Sequence, residues 1–169
     1  MRQLLLLRHA KSSWDDPDLD DFDRPLAERG LKAARLMGRE LAARAWLPDE
    51  VLVSSALRTR DTWRLVAAKL PVHPRVVFAQ PLYEAPAADI LGHIHKADPS
   101  SGCLMAVGHN PGLEDLAKQL AGTGSVAEAR KRLEEKFPTA ALARFVFEGE
   151  WSDLLSARLT HCLRPKDLG

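Results

Sequence analysis

Four consecutive leucines, Leu4 to Leu7, run directly into Arg8-His9-Ala10, and no other feature constrains this chain as much. An unbroken apolar run of that length reads as a strand covered on both faces, so packing layers are required above and below it. Similar short apolar runs recur along the chain and alternate with longer stretches of helical periodicity. The rhythm predicts an α/β fold, a three-layer α/β/α sandwich with a mostly parallel central sheet.

Beyond the first strand, strands are expected at residues 51–53, 76–79 and 103–107, with residues 141–147 and 154–159 near an antiparallel edge. Leu31, Ala34, Gly38, Leu41 and Ala45 recur at helical spacing, as do apolar residues within 57–70 and 113–120. Each helix is expected to follow a strand. At 169 residues the chain has the size of one domain, spanning 1–169, large enough to bury roughly 70% of its unfolded surface.

Lys and Arg number 24 against 23 Asp and Glu, so overall charge selects neither a nucleic-acid partner nor a membrane face. The leucine run is too short for a signal segment or a spanning helix, and a cytoplasmic location is expected. Cys103 and Cys162 lie far apart in apolar runs without metal-ligand spacing, which predicts buried, reduced thiols.

In an open α/β sheet, ligands bind beyond the carboxyl ends of the strands, so motifs at several such ends converge in space. Three do here. Arg8-His9 pairs an imidazole, nucleophilic when neutral, with a guanidinium suited to holding phosphate. Ser54-Ser55 precede a helix with Arg58 in its first turn, the arrangement of an anion site. Gly108-His109-Asn110-Pro111 ends a strand and leads into a helix near Pro111. Singly, each reads more readily as a glycine turn, a helix cap or an exposed arginine than as a phosphate site. Together they describe a pocket able to hold a phosphoryl group while one imidazole attacks in line.

Arg8-His9-Ala10, Arg58 and Gly108-His109 resemble the motifs of the histidine phosphatase superfamily, the phosphoglycerate mutase-like or RHG family. Within it, the short length, Ala10, Asp23-Arg24-Pro25-Leu26 with Arg29-Gly30, Phe137-Pro138-Thr139-Ala140 and Arg164-Pro165 are similar to SixA-type phosphohistidine phosphatases. The resemblance implies a phosphoglycerate mutase-like fold with no metal and no organic cofactor. It implies catalytic roles for His9 as nucleophile, with Arg8, Arg58 and His109 binding the phosphoryl group. Arg24 is implied as a further substrate contact. Ser12, Ser54, Ser55 and Asn110 could donate to phosphate or serve only as caps and turns. Glu84, in Leu82-Tyr83-Glu84, matches a catalytic acid of many superfamily members and is equally compatible with a simple loop carboxylate.

Few residues follow Glu84 where mutases carry a longer insertion, which suits an open pocket and a phosphorylated protein, such as a histidine phosphotransfer domain, or a small phosphoester. A phosphomonoesterase and a noncatalytic phosphate-binding module are the alternatives. Six aspartates between Asp15 and Asp23 read as a solvated loop or a flap over the pocket, lacking the glycine and terminal glutamate of a calcium loop. His93 and His95 are expected on different helix faces and not as metal ligands. Residues 128–136 read as a solvated helix, and Trp14 as a packing residue near a possible rim.

Overall fold

The computed structural model describes residues 1–168. Its strands are β1 (Arg2–Arg8), β2 (Glu50–Ser54), β3 (Arg75–Ala79), β4 (Cys103–Gly108), β5 (Leu142–Phe147) and β6 (Arg158–Leu163). They form one sheet in the order β3-β2-β4-β1-β5-β6. The first four run parallel, β5 is antiparallel to β1, and β6 is antiparallel to β5.

Helices cover both faces, which is why the leucine run is continuous. Leu5 and Leu7 point toward α1 (Glu28–Ala43) and α2 (Leu57–Ala67), packing with Met37, Leu41, Trp63 and Val66. Leu4 and Leu6 point the other way, into a cluster with Ile94 of α3 (Ala87–His95), Leu113 and Leu116 of α4 (Gly112–Leu120), and Leu133 of α5 (Ala127–Glu135). All four leucines are fully buried. Cys103 and Cys162 are free and buried, in β4 and β6. Among the described residues, no helix is long and apolar enough to cross a membrane.

Two expectations need correction. The last strand is Arg158–Leu163 and not 154–159. Trp151–Asp153 make a 3-10 turn, and Leu154 is buried in the core with its carbonyl oxygen 2.7 Å from His95 Nε2. Apolarity there marks burial, while ladder pairing begins only where Arg158 faces Val146. Nor does every helix follow a strand, because α5 comes directly after α4.

Register fixes the site. Arg8 lies opposite Gly108, so His9 and His109 each stand one residue beyond adjacent parallel strands, and the His9 amide donates to the Gly108 carbonyl at 3.1 Å. Ser54 ends the neighbouring β2. The Ala140 amide, at 3.1 and 3.0 Å from the Arg8 and His9 carbonyls, holds the β1 end from the other side. Gly30 allows α1 to approach this end, since a Cβ there would collide with the Lys11 carbonyl.

Candidate active site

A cavity of about 380 Å³ opens at these strand ends. Arg8, His9, Ser12, Arg24, Arg58, Glu84, His109 and Asn110 all line it, so every candidate side chain at these eight positions reaches one space. Lys11, Trp14, Asp21 and Thr139 complete the wall. Ser54 and Ser55 are not among the lining residues.

The His9 and His109 ring centroids are 5.3 Å apart. His9 Nδ1 lies 2.7 Å from the Ala10 carbonyl oxygen. A carbonyl can only accept, so Nδ1 carries the proton and Nε2 keeps its lone pair. Burial, with help from the charges of Arg58, Arg8 and Arg24, pushes the His9 pKa down to about 4. His109 is held lower still, at about 3, by burial and then by His9 and Arg58. Both imidazoles are therefore neutral at pH 7. His109 Nε2 is 2.7 Å from Ser54 Oγ, so the Ser54 hydroxyl positions His109.

Three buried side-chain nitrogens lack a partner among the described residues: Arg8 Nε, Arg58 Nε and His109 Nδ1. All belong to residues lining this cavity. An orphaned buried polar atom costs about 1–3 kcal/mol, and two of these three are guanidinium N–H donors that an anionic oxygen in the cavity can satisfy.

The arginines are held from behind. Arg8 Nη1 donates to the Phe137 carbonyl at 3.2 Å. Arg58 donates to the Asp21 carbonyl at 2.7 Å and to its carboxylate at 3.0 Å. Arg24, itself buried, donates to Ser12 Oγ at 2.7 Å and pairs with the other Asp21 carboxylate oxygen. The Tyr83 hydroxyl donates to Asp21 at 2.5 Å. Hydrogen bonding from Tyr83, joined by the charge of Arg58, pulls the Asp21 pKa down to about 2 despite an opposing burial effect. Burial and then Asp21 push Tyr83 up to about 12.

Sequence reasoning missed Asp21 and Tyr83. Asp21 stands three residues before Arg24, a pairing distance, and Tyr83 is the chain's one tyrosine, beside Glu84. The loop expectation was too uniform: five of the six aspartates follow it at the surface, while a 3-10 turn (Asp21–Asp23) carries Asp21 to the cavity. Trp14 is not a packing residue. It is 69% exposed, with the Arg24 guanidinium stacked 3.4 Å from its ring centroid.

Asn110 has its amide committed. Its Nδ2 donates to the Phe137 carbonyl and Glu114, and its Oδ1 accepts from the Glu114 amide in the first turn of α4. That helix starts at Gly112, immediately after Pro111. Glu84 is exposed at the cavity wall with φ of 56°, a left-handed conformation unusual for a side-chain-bearing residue. Gly112 lets α4 abut the same loop, because a Cβ there would strike the Ala85 carbonyl. His93 and His95 have separate backbone partners, the carbonyls of Asp89 and Leu154.

Residues 4–101 match the model of the histidine phosphatase superfamily (branch 1). An uncharacterised protein of Mycobacterium tuberculosis is 36% identical over 149 residues, covering 88% of this chain and 91% of that protein. A structure from Agrobacterium tumefaciens, assigned as the phosphohistidine phosphatase SixA, superposes with a TM-score of 0.83 at 30% identity, covering 97% of this chain and 98% of that one. One from Nakamurella multipartitia, with the same assignment, gives 0.84 at 28% identity over 97% and 96% of the two chains.

Proposed function

This chain belongs to the histidine phosphatase superfamily (branch 1), whose match, with its SixA-like structural neighbours, supports phosphatase activity, and from that premise we propose that it dephosphorylates phosphohistidine on a phosphotransfer protein. The observation carrying the reading is the set of three orphaned nitrogens around a neutral imidazole whose Nε2 is free.

Arg8, Arg58, Arg24 and His109 hold the phosphoryl oxygens, and Ser12 Oγ, already accepting from Arg24, has its own proton to donate. His9 Nε2 attacks phosphorus in line. A bond from Nε2 to phosphorus forms as the bond to the substrate imidazole breaks, and that imidazole leaves with its electron pair and takes up a proton from solvent water. The positive charge developing on the His9 ring is met at Nδ1 by the Ala10 carbonyl. Water then attacks phosphorus, the bond to Nε2 breaks, and inorganic phosphate leaves. The same donors serve both steps because charge stays on the phosphoryl oxygens.

Only Ala85 and Pro86 separate Glu84 from α3, so no inserted segment adds to the cavity wall between them. That leaves room for a side chain displayed on a protein. Two free, buried thiols suit a reducing compartment such as the cytoplasm. One observation favours a second reading: Glu84 at the wall could protonate an alkoxide, which a phosphomonoester requires and a phosphoramidate does not.

The test compares turnover of a phosphohistidine-bearing phosphotransfer domain with that of a small phosphomonoester. Preference for the former, lost in His9→Ala, supports the proposal. Preference for the ester transfers the assignment to a phosphomonoesterase.

A further inference from the structure

A second, larger concavity of about 630 Å³ adjoins the catalytic cavity, and Lys11 and Thr139 line both. Its wall is the outer face of α1, where Arg29, Lys32, Ala33, Leu36 and Arg39 fall at i, i+3, i+4, i+7 and i+10. Across from them lie Pro138 and the segment around Lys166 and Leu168. Small and apolar side chains therefore make a floor, and cations surround it.

Among the described residues, some cations outside the groove have carboxylate partners and others, such as Arg35 and Arg60, have none. Arg2, Arg44 and Arg75 each pair with a glutamate. Arg164, the buried cation of the groove, is satisfied by Asp167 and Glu135. Among the described residues, Lys11, Arg29, Lys32, Arg39 and Lys166 make no ion pair. Among the described residues no Asp or Glu lines the groove, whereas Asp21 and Glu84 line the catalytic cavity. In a chain of net charge +1, this is a local concentration of positive potential.

We infer that the groove docks an acidic, amphipathic polypeptide segment next to the phosphorylated side chain, a role that rests on the phosphoprotein reading above. Length argues for a polypeptide. From Arg29 to Arg39 the stripe extends about 15 Å along the helix, farther than a small phosphoester seated in the catalytic cavity reaches. The floor argues in the same direction, because Leu36, Pro138 and Leu168 offer contact to apolar side chains while the rim offers pairing to carboxylates. Lys11, shared by both concavities, joins the phosphoryl site to the docking surface.

The probe is a fluorescent helical peptide of about 15 residues with glutamates flanking a leucine stripe, alongside an analogue with glutamine at each glutamate. Binding to the whole chain is read by anisotropy. The acidic peptide binds at least about tenfold more tightly than the glutamine analogue, and Lys32→Glu/Arg39→Glu removes that difference. Hydrolysis of p-nitrophenyl phosphate by the variant stays within about twofold of the parent, as both residues lie outside the catalytic cavity. Equal binding of the two peptides, or undiminished binding by the variant, overturns the proposal. So does tighter binding of a single-stranded oligonucleotide of equal charge, which assigns the groove to nucleic acid. Because the binding measurement needs no turnover, groove-dependent capture of the acidic peptide without phosphohistidine hydrolysis sustains the docking surface and removes only the substrate reading.

Discussion

Asp21 and Arg58 meet twice: the Arg58 guanidinium donates to the Asp21 backbone carbonyl at 2.7 Å and to its carboxylate at 3.0 Å. One residue of the aspartate-rich loop thus sets the pose of a cavity arginine and also offsets its charge. Arg24 shares the same carboxylate, so two cations facing the cavity are partly neutralised by one anion.

Asp21→Asn keeps the backbone contact and removes the charge. Competitive inhibition by inorganic phosphate is expected to tighten about five- to tenfold, roughly 1–1.4 kcal/mol, as Arg24 and Arg58 present more of their field to the anion. Weaker phosphate binding in this variant would show that the carboxylate matters chiefly for arginine placement.

Acid should destabilise this fold through its two site imidazoles. Their folded pKa values, about 4 for His9 and about 3 for His109, lie below the ordinary 6.5, so the unfolded chain binds more protons as pH falls below 6.5. Stability is therefore full above that pH and declines below it, by about 2 kcal/mol for each imidazole between pH 7 and pH 5. Urea unfolding at the two pH values measures the loss, and His109→Gln should remove about half of it. A stability unchanged between these pH values would contradict the burial of neutral imidazoles.

Glu84 is tested by its dependence on the leaving group. Glu84→Gln should slow hydrolysis of an alkyl phosphate about 100-fold or more while changing phosphohistidine turnover little, since only the alkoxide needs a placed acid. Equal losses on both substrates would make Glu84 a positioning residue at the cavity wall.

Gly30→Ala tests how closely α1 approaches the strand end that carries His9. The added methyl meets the Lys11 carbonyl, which also accepts from the Ala27 amide at 2.9 Å, so backbone must move. A loss of about 1–3 kcal/mol is expected in thermal or urea unfolding. A neutral substitution would mean that this contact is looser than the structure has it.

Much of this was legible in the sequence because it depends on periodicity and on strand ends. The unbroken leucines demanded cover on both faces, and Arg8-His9, Ser54 to Arg58 and Gly108-His109 were brought together by parallel neighbours sharing one end of the sheet. Asp21 was illegible for the opposite reason: its reach is set by an aperiodic loop and one 3-10 turn, and nothing in a run of aspartates marks which one faces inward. The committed amide of Asn110 depends on Phe137, which is distant in sequence. The shift of β6 to Arg158–Leu163 shows the same limit, since Leu154 is apolar on account of the core beneath α3 and not on account of sheet pairing.

The central claim is that His9 becomes covalently phosphorylated during turnover. The direct measurement is rapid quenching of the enzyme during hydrolysis of a phosphohistidine substrate, followed by peptide mapping under alkaline conditions that preserve phosphoramidates. The account predicts an acid-labile phosphoryl group on His9, absent from a folded and inactive His9→Ala variant. Full turnover by that variant, or a phosphoryl group trapped at another residue of the wild-type chain, would contradict it.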